Sequence, residues 1–127
     1  MDVNVYRGEG KLQHVVEVGP HKLVADAPSQ YGGEDAGFTP HDILAASLGA
    51  CTALTLNMYA QRKGFTMEKV DVKIEHAEKD GAYVFNRHLT FYGDLTTEQK
   101  ESLTGIANKC PVHKILSGQI EIVTDSN

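Results

Sequence analysis

One stretch of this sequence, residues 39–63, is long and apolar around most of its circumference, and the rest of the chain has to be arranged around it. The pattern predicts a helix. Thr39 stands at the N-cap, Pro40 takes the first helical position, which needs no backbone donor, and Asp42 lies in the capping-box position. Gly64 follows as a C′ glycine. Because so much of its surface is apolar, we expect this helix to be buried.

The helix has two distinct faces at about 100° per residue. One carries the larger side chains, Leu44, Ser47, Leu48, Cys51, Leu54, Thr55 and Met58. The other carries small ones, Ala46, Gly49, Ala50, Ala53, Asn57 and Ala60. Small side chains let another backbone approach closely, so this face predicts a crossing with a second helix, from the same chain or a symmetry mate. A thiol on the larger face, that of Cys51, is either inert filling or a reagent whose pKa depends on its neighbours.

The composition is that of a globular protein. With 127 residues, of which 41% are hydrophobic and 23% charged, we expect a single domain, residues 1–127. The net charge of −5, without a basic run, argues against nucleic acid or an anionic membrane as a partner.

We expect a cytoplasmic location. Residues 1–8 lack the basic and apolar regions of a signal peptide, and the central helix is poor in strong hydrophobes for a membrane span. In that compartment two cysteines do not predict a structural disulfide, which leaves catalysis, redox sensing, metal binding or plain burial.

Turn residues divide the N-terminal part into short strands. Glycine-containing separators predict an antiparallel meander with strands at residues 3–7, 12–18 and 21–26. Residues 27–38 contain Gly and Pro without periodicity and predict a loop, and a loop this long in a small domain is often functional.

The C-terminal part predicts a hairpin and two helices. Strict alternation at 69–76 predicts a strand with Val70, Val72 and Ile74 on its buried face; Asp80-Gly81 is the turn and 83–92 the return strand. A helix capped by Thr96 and Gln99 follows, then a shorter one from Pro111, and a last strand at 119–124. The order βββ-α-ββ-α-α-β indicates an α+β fold.

One cation falls on the apolar face of the return strand. Arg87 is in phase with Phe85, Leu89 and Phe91. A guanidinium on or near an apolar face needs an anion or several acceptors, unless it extends to solvent at the sheet edge. Both possibilities remain open for Arg87.

The second cysteine lies at a helix start. Cys110 directly precedes Pro111, which predicts that it is the N-cap of the short helix, where backbone donors and the helix dipole lower a thiol pKa. If the two cysteine-bearing helices pack together, Cys51 and Cys110 would lie within bridging distance. Either cysteine is otherwise a small buried residue.

Two segments resemble the OsmC/Ohr family, the osmotically inducible protein C and organic hydroperoxide resistance proteins. They are Gly37-Phe-Thr-Pro-His-Asp-Ile-Leu-Ala-Ala-Ser-Leu-Gly-Ala-Cys51-Thr, and Gly93-Asp-Leu-Thr-Thr-Glu-Gln followed by Cys110-Pro-Val-His. The resemblance runs from Ala27 to the C-terminus. It implies a two-layer α+β fold in an intertwined homodimer, with central helices packed back to back and active sites at the subunit interface.

The resemblance also implies an activity and its residues. Cys51 would be the peroxidatic thiolate of a hydroperoxide reductase, and Cys110 the resolving cysteine. An external dithiol, lipoyl-type or similar, would reduce the resulting disulfide. No cofactor or metal is implied, and the role would be antioxidant, in the response to oxidative stress.

The sequence departs from the hydroperoxide reductases beside the helix start. Where those enzymes have a glutamate that pairs with an N-terminal arginine, this chain has His41, followed by Asp42. Arg87 is a possible substitute for the arginine, with Glu34 or Asp42 as its counter-ion. Taken without the family, Asp42 is a helix-start charge and His41 an exposed first-turn residue.

Two other functions fit the same residues. Cys51, Cys110, His41 and His113 are the ligand types of a zinc site, although they lack a second closely spaced pair. The chain could also be a thiol-based binding or redox-sensing protein without turnover.

Overall fold

The computed structural model describes residues 1–127, which form two compact units, Met1–Leu44 and Ala45–Asn127. The fold is α+β, as predicted. Its elements are β1 (Asn4–Arg7), β2 (His14–Val18), β3 (His21–Ala25), α1 (Pro40–Lys63), β4 (Thr66–Lys79), β5 (Ala82–Asp94), α2 (Thr97–Ile106) and α3 (Pro111–Ser117), with 3-10 turns at Ser29–Tyr31 and Ala107–Lys109. The boundary between the units falls inside α1.

The N-terminal unit is the predicted meander followed by a tethered loop. β2 pairs antiparallel with β1 on one side and β3 on the other. The buried carboxylate of Asp26 then accepts hydrogen bonds from the backbone N–H groups of Ala27, Glu34 and Ala36, at 2.8, 3.2 and 3.0 Å. These bonds hold the pKa of Asp26 below its usual range. One side chain therefore closes the loop that leads to α1.

The ends of α1 form as local signals predict. Thr39 Oγ1 accepts a hydrogen bond from the N–H of Asp42 at 3.2 Å and donates one to its carboxylate at 2.9 Å. At the other end Gly64 has φ +70° and donates its N–H to the carbonyl of Gln61, while Phe65 donates to Ala60. This double bond pattern is a Schellman cap.

The C-terminal unit is built on the β4–β5 hairpin. Asp80 and Gly81 turn it with φ of 52° and 83°, the left-handed geometry of a type I′ turn. One face of the hairpin packs against the helices. The core between them consists of Leu56, Ala60, Val70, Leu103 and Ala107. Thr96 and Gln99 cap α2 with the predicted capping box. Helices on one face of a sheet give this unit two layers.

The prediction that α1 is buried is wrong for one side of the helix in this chain. Its buried stripe is Ala45, Leu48, Thr52, Leu56 and Ala60, which cuts across both predicted faces. Three of the larger side chains, Leu44, Leu54 and Met58, are 41%, 62% and 56% exposed. Among the small residues, Gly49 packs against β4: a Cβ atom added to it would lie 3.4 Å from the side chain of Ile74. The hairpin and α2 cover only one side of the helix.

The argument that α1 is too poor in strong hydrophobes to span a membrane is also wrong. Its length and composition, with a mean hydropathy of 1.4, meet the criterion for a membrane-spanning helix. Core helices of globular proteins meet the same criterion, and Leu56 and Ala60 of α1 belong to the core described above.

The strand predicted at residues 119–124 does not form. The segment has the alternating apolar pattern of a strand, but a strand exists only where a second backbone pairs with it, and neither sheet of this chain takes it up. Its larger side chains are exposed: Ile120 by 56%, Ile122 by 85% and Val123 by 84%.

Candidate functional site

The two cysteines meet between α1 and α3. Cys51 lies in the middle of α1 and is half-buried; Cys110 is fully buried at the N-cap of α3, as its position before Pro111 predicts. The Cys51 side chain lies close enough to Cys110 to lower the pKa of its thiol. Both are free thiols. Two thiols that together can release two electrons on forming a disulfide therefore lie close together, and the more accessible one is Cys51.

The surroundings of Cys110 favour its thiolate. The backbone N–H of His113 donates to Cys110 Sγ at 3.4 Å, and Thr52 Oγ1 lies 4.0 Å from the same sulfur. Burial raises the pKa of the Cys110 thiol, whereas hydrogen bonds from Cys51, His113, Thr52 and Val112 lower it, and together they hold it below the ordinary 9.0. Cys110 therefore ionises more readily than an ordinary thiol.

Thr52 connects this sulfur to a cation. Its Oγ1 accepts a hydrogen bond from Arg87 at 3.0 Å and donates to the carbonyl of Leu48 at 2.7 Å. A hydroxyl has a single hydrogen, and arginine can only donate, so that hydrogen goes either to Leu48 or to Cys110 Sγ. A negative charge on Cys110 would draw it toward the sulfur.

Arg87 reaches three neutral acceptors on three different elements. Besides Thr52 it donates to Asn108 Oδ1 at 3.2 Å and to His113 Nδ1 at 3.1 Å. Because arginine has no acceptor, Nδ1 of His113 must be unprotonated, and the proton of its neutral ring lies on Nε2. The need for several acceptors that the sequence predicted is met by neutral groups, and the expected acidic counter-ion is not among them.

A cavity of about 530 Å³ lies beside this cation. Arg87, Asn108 and His113 line it together with the apolar side chains of Phe85 and Leu89, and no acidic residue contributes to its wall.

The remaining sequence-predicted residues lie in the N-terminal unit. Glu34 Oε1 accepts a hydrogen bond from the N–H of Lys11 at 2.9 Å. Asp42 interacts with Thr39 at the start of α1, the helix-start role that its position predicted. His41 is exposed in the first turn of the same helix.

Sequence reasoning missed Thr52 and Asn108. A signal for Thr52 existed, because a polar side chain at its place in the stripe of Leu48 and Leu56 needs a hydrogen-bond partner. Asn108 gave no signal beyond its position two residues before Cys110.

The zinc hypothesis has no ligand set in the structure. No group of three or more His, Cys, Asp or Glu side chains is arranged to hold a metal ion. The Nδ1 atom of His113 already accepts a hydrogen bond from a cation, Arg87, which would repel a metal ion there.

Comparisons with known proteins give a family and a fold. The OsmC-like protein family matches residues 32–125. An OsmC-like protein from Mycoplasma pneumoniae has a similar crystal structure, with a TM-score of 0.76 and 22% identity over 92% of this chain and 86% of that one. An organic hydroperoxide resistance protein OsmC from Legionella pneumophila gives 0.68 and 21% over 93% and 90%.

A third similar structure is the organic hydroperoxide resistance protein OhrB of Bacillus subtilis, with a TM-score of 0.62 and 20% identity over 93% of this chain and 92% of that one. No protein with a curated description matches the chain. The structural similarities, all at low identity, establish the fold, and the family match extends over most of the sequence, including both cysteines. The chain therefore belongs to the OsmC-like protein family.

Proposed function

We propose that this protein is a thiol-dependent hydroperoxide reductase in which Cys51 attacks the peroxide and Cys110 resolves the product. The observation that carries the proposal is the placement of two free thiols close together, with Cys51 the more accessible one and Cys110 buried among hydrogen-bond donors that lower its pKa. Two structurally similar proteins, from Legionella pneumophila and Bacillus subtilis, are named organic hydroperoxide resistance proteins, which supports the substrate class.

The first step would transfer the proton of Cys51 to the Cys110 thiolate. The Cys51 thiolate then attacks the nearer oxygen of the hydroperoxide, an S–O bond forms and the O–O bond breaks. The alkoxide takes up the proton that Cys110 received from Cys51 and leaves as the alcohol, which restores the Cys110 thiolate. Cys51 is now a sulfenic acid, oxidised by the two electrons that the peroxide gained.

The second step would use Cys110 as a nucleophile. Its thiolate attacks the sulfur of the Cys51 sulfenic acid, an S–S bond forms and hydroxide leaves as water. One hydroperoxide and two thiols thus give one alcohol, one water and one disulfide. An external dithiol, lipoyl-type or similar, reduces the disulfide and restores both thiols by thiol–disulfide exchange.

In this chain Arg87 would take the supporting role that an arginine–glutamate pair has in the hydroperoxide reductases. Its guanidinium fixes Thr52 as an acceptor and directs the hydroxyl hydrogen of Thr52 toward Leu48 or Cys110. His41, which replaces the family glutamate, and Glu34 and Asp42 have no step in this mechanism.

The test is catalytic turnover with an organic hydroperoxide and reduced lipoamide. The expected result is many peroxides consumed per protein, none by Cys51→Ser, and accumulation of a sulfenic acid in Cys110→Ser, detected with a dimedone-type reagent. Peroxide consumption no faster than in a protein-free mixture, or unchanged consumption by Cys51→Ser, would reject the proposal.

A stoichiometric redox sensor is the second candidate, favoured by the complete burial of Cys110, which restricts access of a reductant to the disulfide. A sensor would consume one peroxide per site and then stop, even with excess dithiol. The same turnover assay distinguishes the two functions.

We also propose that the working form is a cytoplasmic homodimer. Residues 119–124 carry a strand pattern without a partner strand, and Leu54 and Met58 leave an exposed apolar surface on α1. A second copy would cover both, and central helices packed at the interface are what the family resemblance implies.

Analytical ultracentrifugation should give twice the mass of the chain and a shift toward monomer for Leu54→Lys. The exposed neighbour substitution Gln61→Lys should leave the dimer intact, and a monomeric wild-type protein would refute the proposal.

A further inference from the structure

We propose that the cavity beside Arg87 binds a small organic anion, a carboxylate carried on an apolar body, as a ligand distinct from the hydroperoxide. The first support is charge. The guanidinium of Arg87 is half-buried, and its three partners, Thr52, Asn108 and His113, are all neutral.

The lack of a counter-ion for Arg87 stands out in a chain with 17 acidic and 12 basic residues. Ion pairs form elsewhere, between Lys22 and Glu17 and between Lys73 and Glu75, on exposed surface where they contribute little. A partly desolvated cation gains far more from an anion than an exposed one does. The half-buried charge of Arg87 is thus left for a ligand to pair with.

The guanidinium is also pre-oriented. Its hydrogen bonds to three different elements fix its plane, and they use three of the five N–H groups of Arg87. Because Nη2 makes two of these bonds, the remaining donors are the Nε–H and one Nη1–H, and each can make a single charge-assisted hydrogen bond to a carboxylate oxygen. Because the arginine is already held, binding does not have to order a flexible side chain.

The rest of the cavity fits an apolar body. Phe85 and Leu89 flank Arg87 at alternate positions of β5 and contribute its apolar wall. The volume of about 530 Å³ lies within the range of small-molecule sites, about 300–1,000 Å³. No acidic side chain lines the cavity to repel the ligand.

Binding of an anion at Arg87 should change the reactivity of the two thiols. Arg87 contacts Thr52, and Thr52 Oγ1 lies 4.0 Å from Cys110 Sγ. An anion on the guanidinium would compete with Thr52 for Arg87 and so change the hydroxyl that lowers the pKa of Cys110. Ligand binding should therefore slow reactions of the cysteine pair, whether or not the pair reduces peroxides in the cell.

The probe for the test is hydrocinnamate, with hydrocinnamyl alcohol as the neutral analogue of the same skeleton. Isothermal titration calorimetry with the full chain should show saturable binding of the carboxylate and at least about tenfold weaker binding of the alcohol, because a charge-assisted hydrogen bond is lost. No saturable binding, or equal affinity for both compounds, would overturn the proposal.

Variants separate this site from the thiol chemistry. Arg87→Gln should weaken carboxylate binding about tenfold or more, whereas Arg62→Gln, at a different cavity, should not. Thr104 is an exposed residue of α2 that lines the cavity, so Thr104→Trp should fill the cavity and abolish binding. This second variant keeps the test decisive if Arg87→Gln does not fold. Retention of full affinity in both Arg87→Gln and Thr104→Trp would refute the assignment.

The same titration on Cys51→Ser tests anion binding separately from the proposed peroxidase activity. Under that proposal the variant reduces no peroxide, yet the cavity is unchanged and hydrocinnamate should still bind. Loss of binding in Cys51→Ser would place the ligand at the thiols instead of at Arg87 and would contradict the inference.

Discussion

Replacing Thr52 with valine tests the link between the cation and the sulfur. Valine carries a methyl group where threonine carries its hydroxyl, so Thr52→Val keeps the β-branched shape and replaces one polar atom with an apolar one. The polar atom accepts the Arg87 hydrogen bond at 3.0 Å and lies 4.0 Å from Cys110 Sγ. The variant should therefore raise the pKa of Cys110.

The size of the effect follows from the geometry. A hydrogen bond to a charged group contributes about 1.5–3 kcal/mol, and a long oxygen–sulfur contact belongs at the lower end of that range. A loss of about 1.5 kcal/mol is close to a tenfold change in an equilibrium constant. At a pH below the pKa of Cys110, the population of its thiolate should fall about tenfold.

The assay is a pH titration of the ultraviolet absorbance of the thiolate in a Cys51→Ser background, where only Cys110 titrates. The curve of Thr52→Val should move to higher pH, while Thr52→Ser, which keeps the hydroxyl, should titrate as the parent does. Thr55→Val makes the same substitution one turn along α1 and should have no effect. An unchanged curve for Thr52→Val would refute the reasoning.

Three further predictions concern stability, each measured by denaturant unfolding. Leu103→Ala removes a fully buried core side chain and should lower the free energy of unfolding by about 3 kcal/mol; a loss below about 1 kcal/mol would contradict the core described here. Thr96→Ala breaks the capping box of α2 and should cost about 1 kcal/mol, and no loss would mean that the cap is dispensable. Asp26→Asn should destabilise the N-terminal unit at neutral pH. The pKa of Asp26 is lower in the folded state than the ordinary 3.8, so the stability that its carboxylate contributes is complete above pH 3.8 and is lost as the pH falls through the folded pKa. The difference in unfolding free energy between Asp26→Asn and wild type should therefore shrink in acid. A difference that does not change with pH would show that the carboxylate is not its cause.

Features specified by a few neighbouring residues could be predicted from the sequence. The caps of α1 at Thr39 and Gly64 depend on local backbone chemistry, as does the Asp80-Gly81 turn. The two-residue period of β5 likewise identified Arg87 as a cation on an apolar face. In each case the deciding interactions span only a few residues.

Features that depend on what packs against an element could not be predicted in this way. The apolar side chains of Leu54 and Met58 predict burial, but which side of α1 is covered depends on the hairpin and α2. Residues 119–124 carry a strand pattern that is not realised, because pairing needs a second strand edge. For the candidate site, helix patterns indicated both cysteines, but the connection through Thr52 joins residues distant in sequence and has no local signature.

The central claim is that Cys51 and Cys110 act as one redox unit. The most direct measurement adds one equivalent of an organic hydroperoxide to the reduced protein, without dithiol, and then identifies the oxidised products by mass spectrometry after alkylation and proteolysis. The account predicts loss of both free thiols, one equivalent of alcohol formed, and a single cross-linked peptide pair joining Cys51 to Cys110. Recovery of both cysteines as alkylated thiols with the peroxide intact would contradict it.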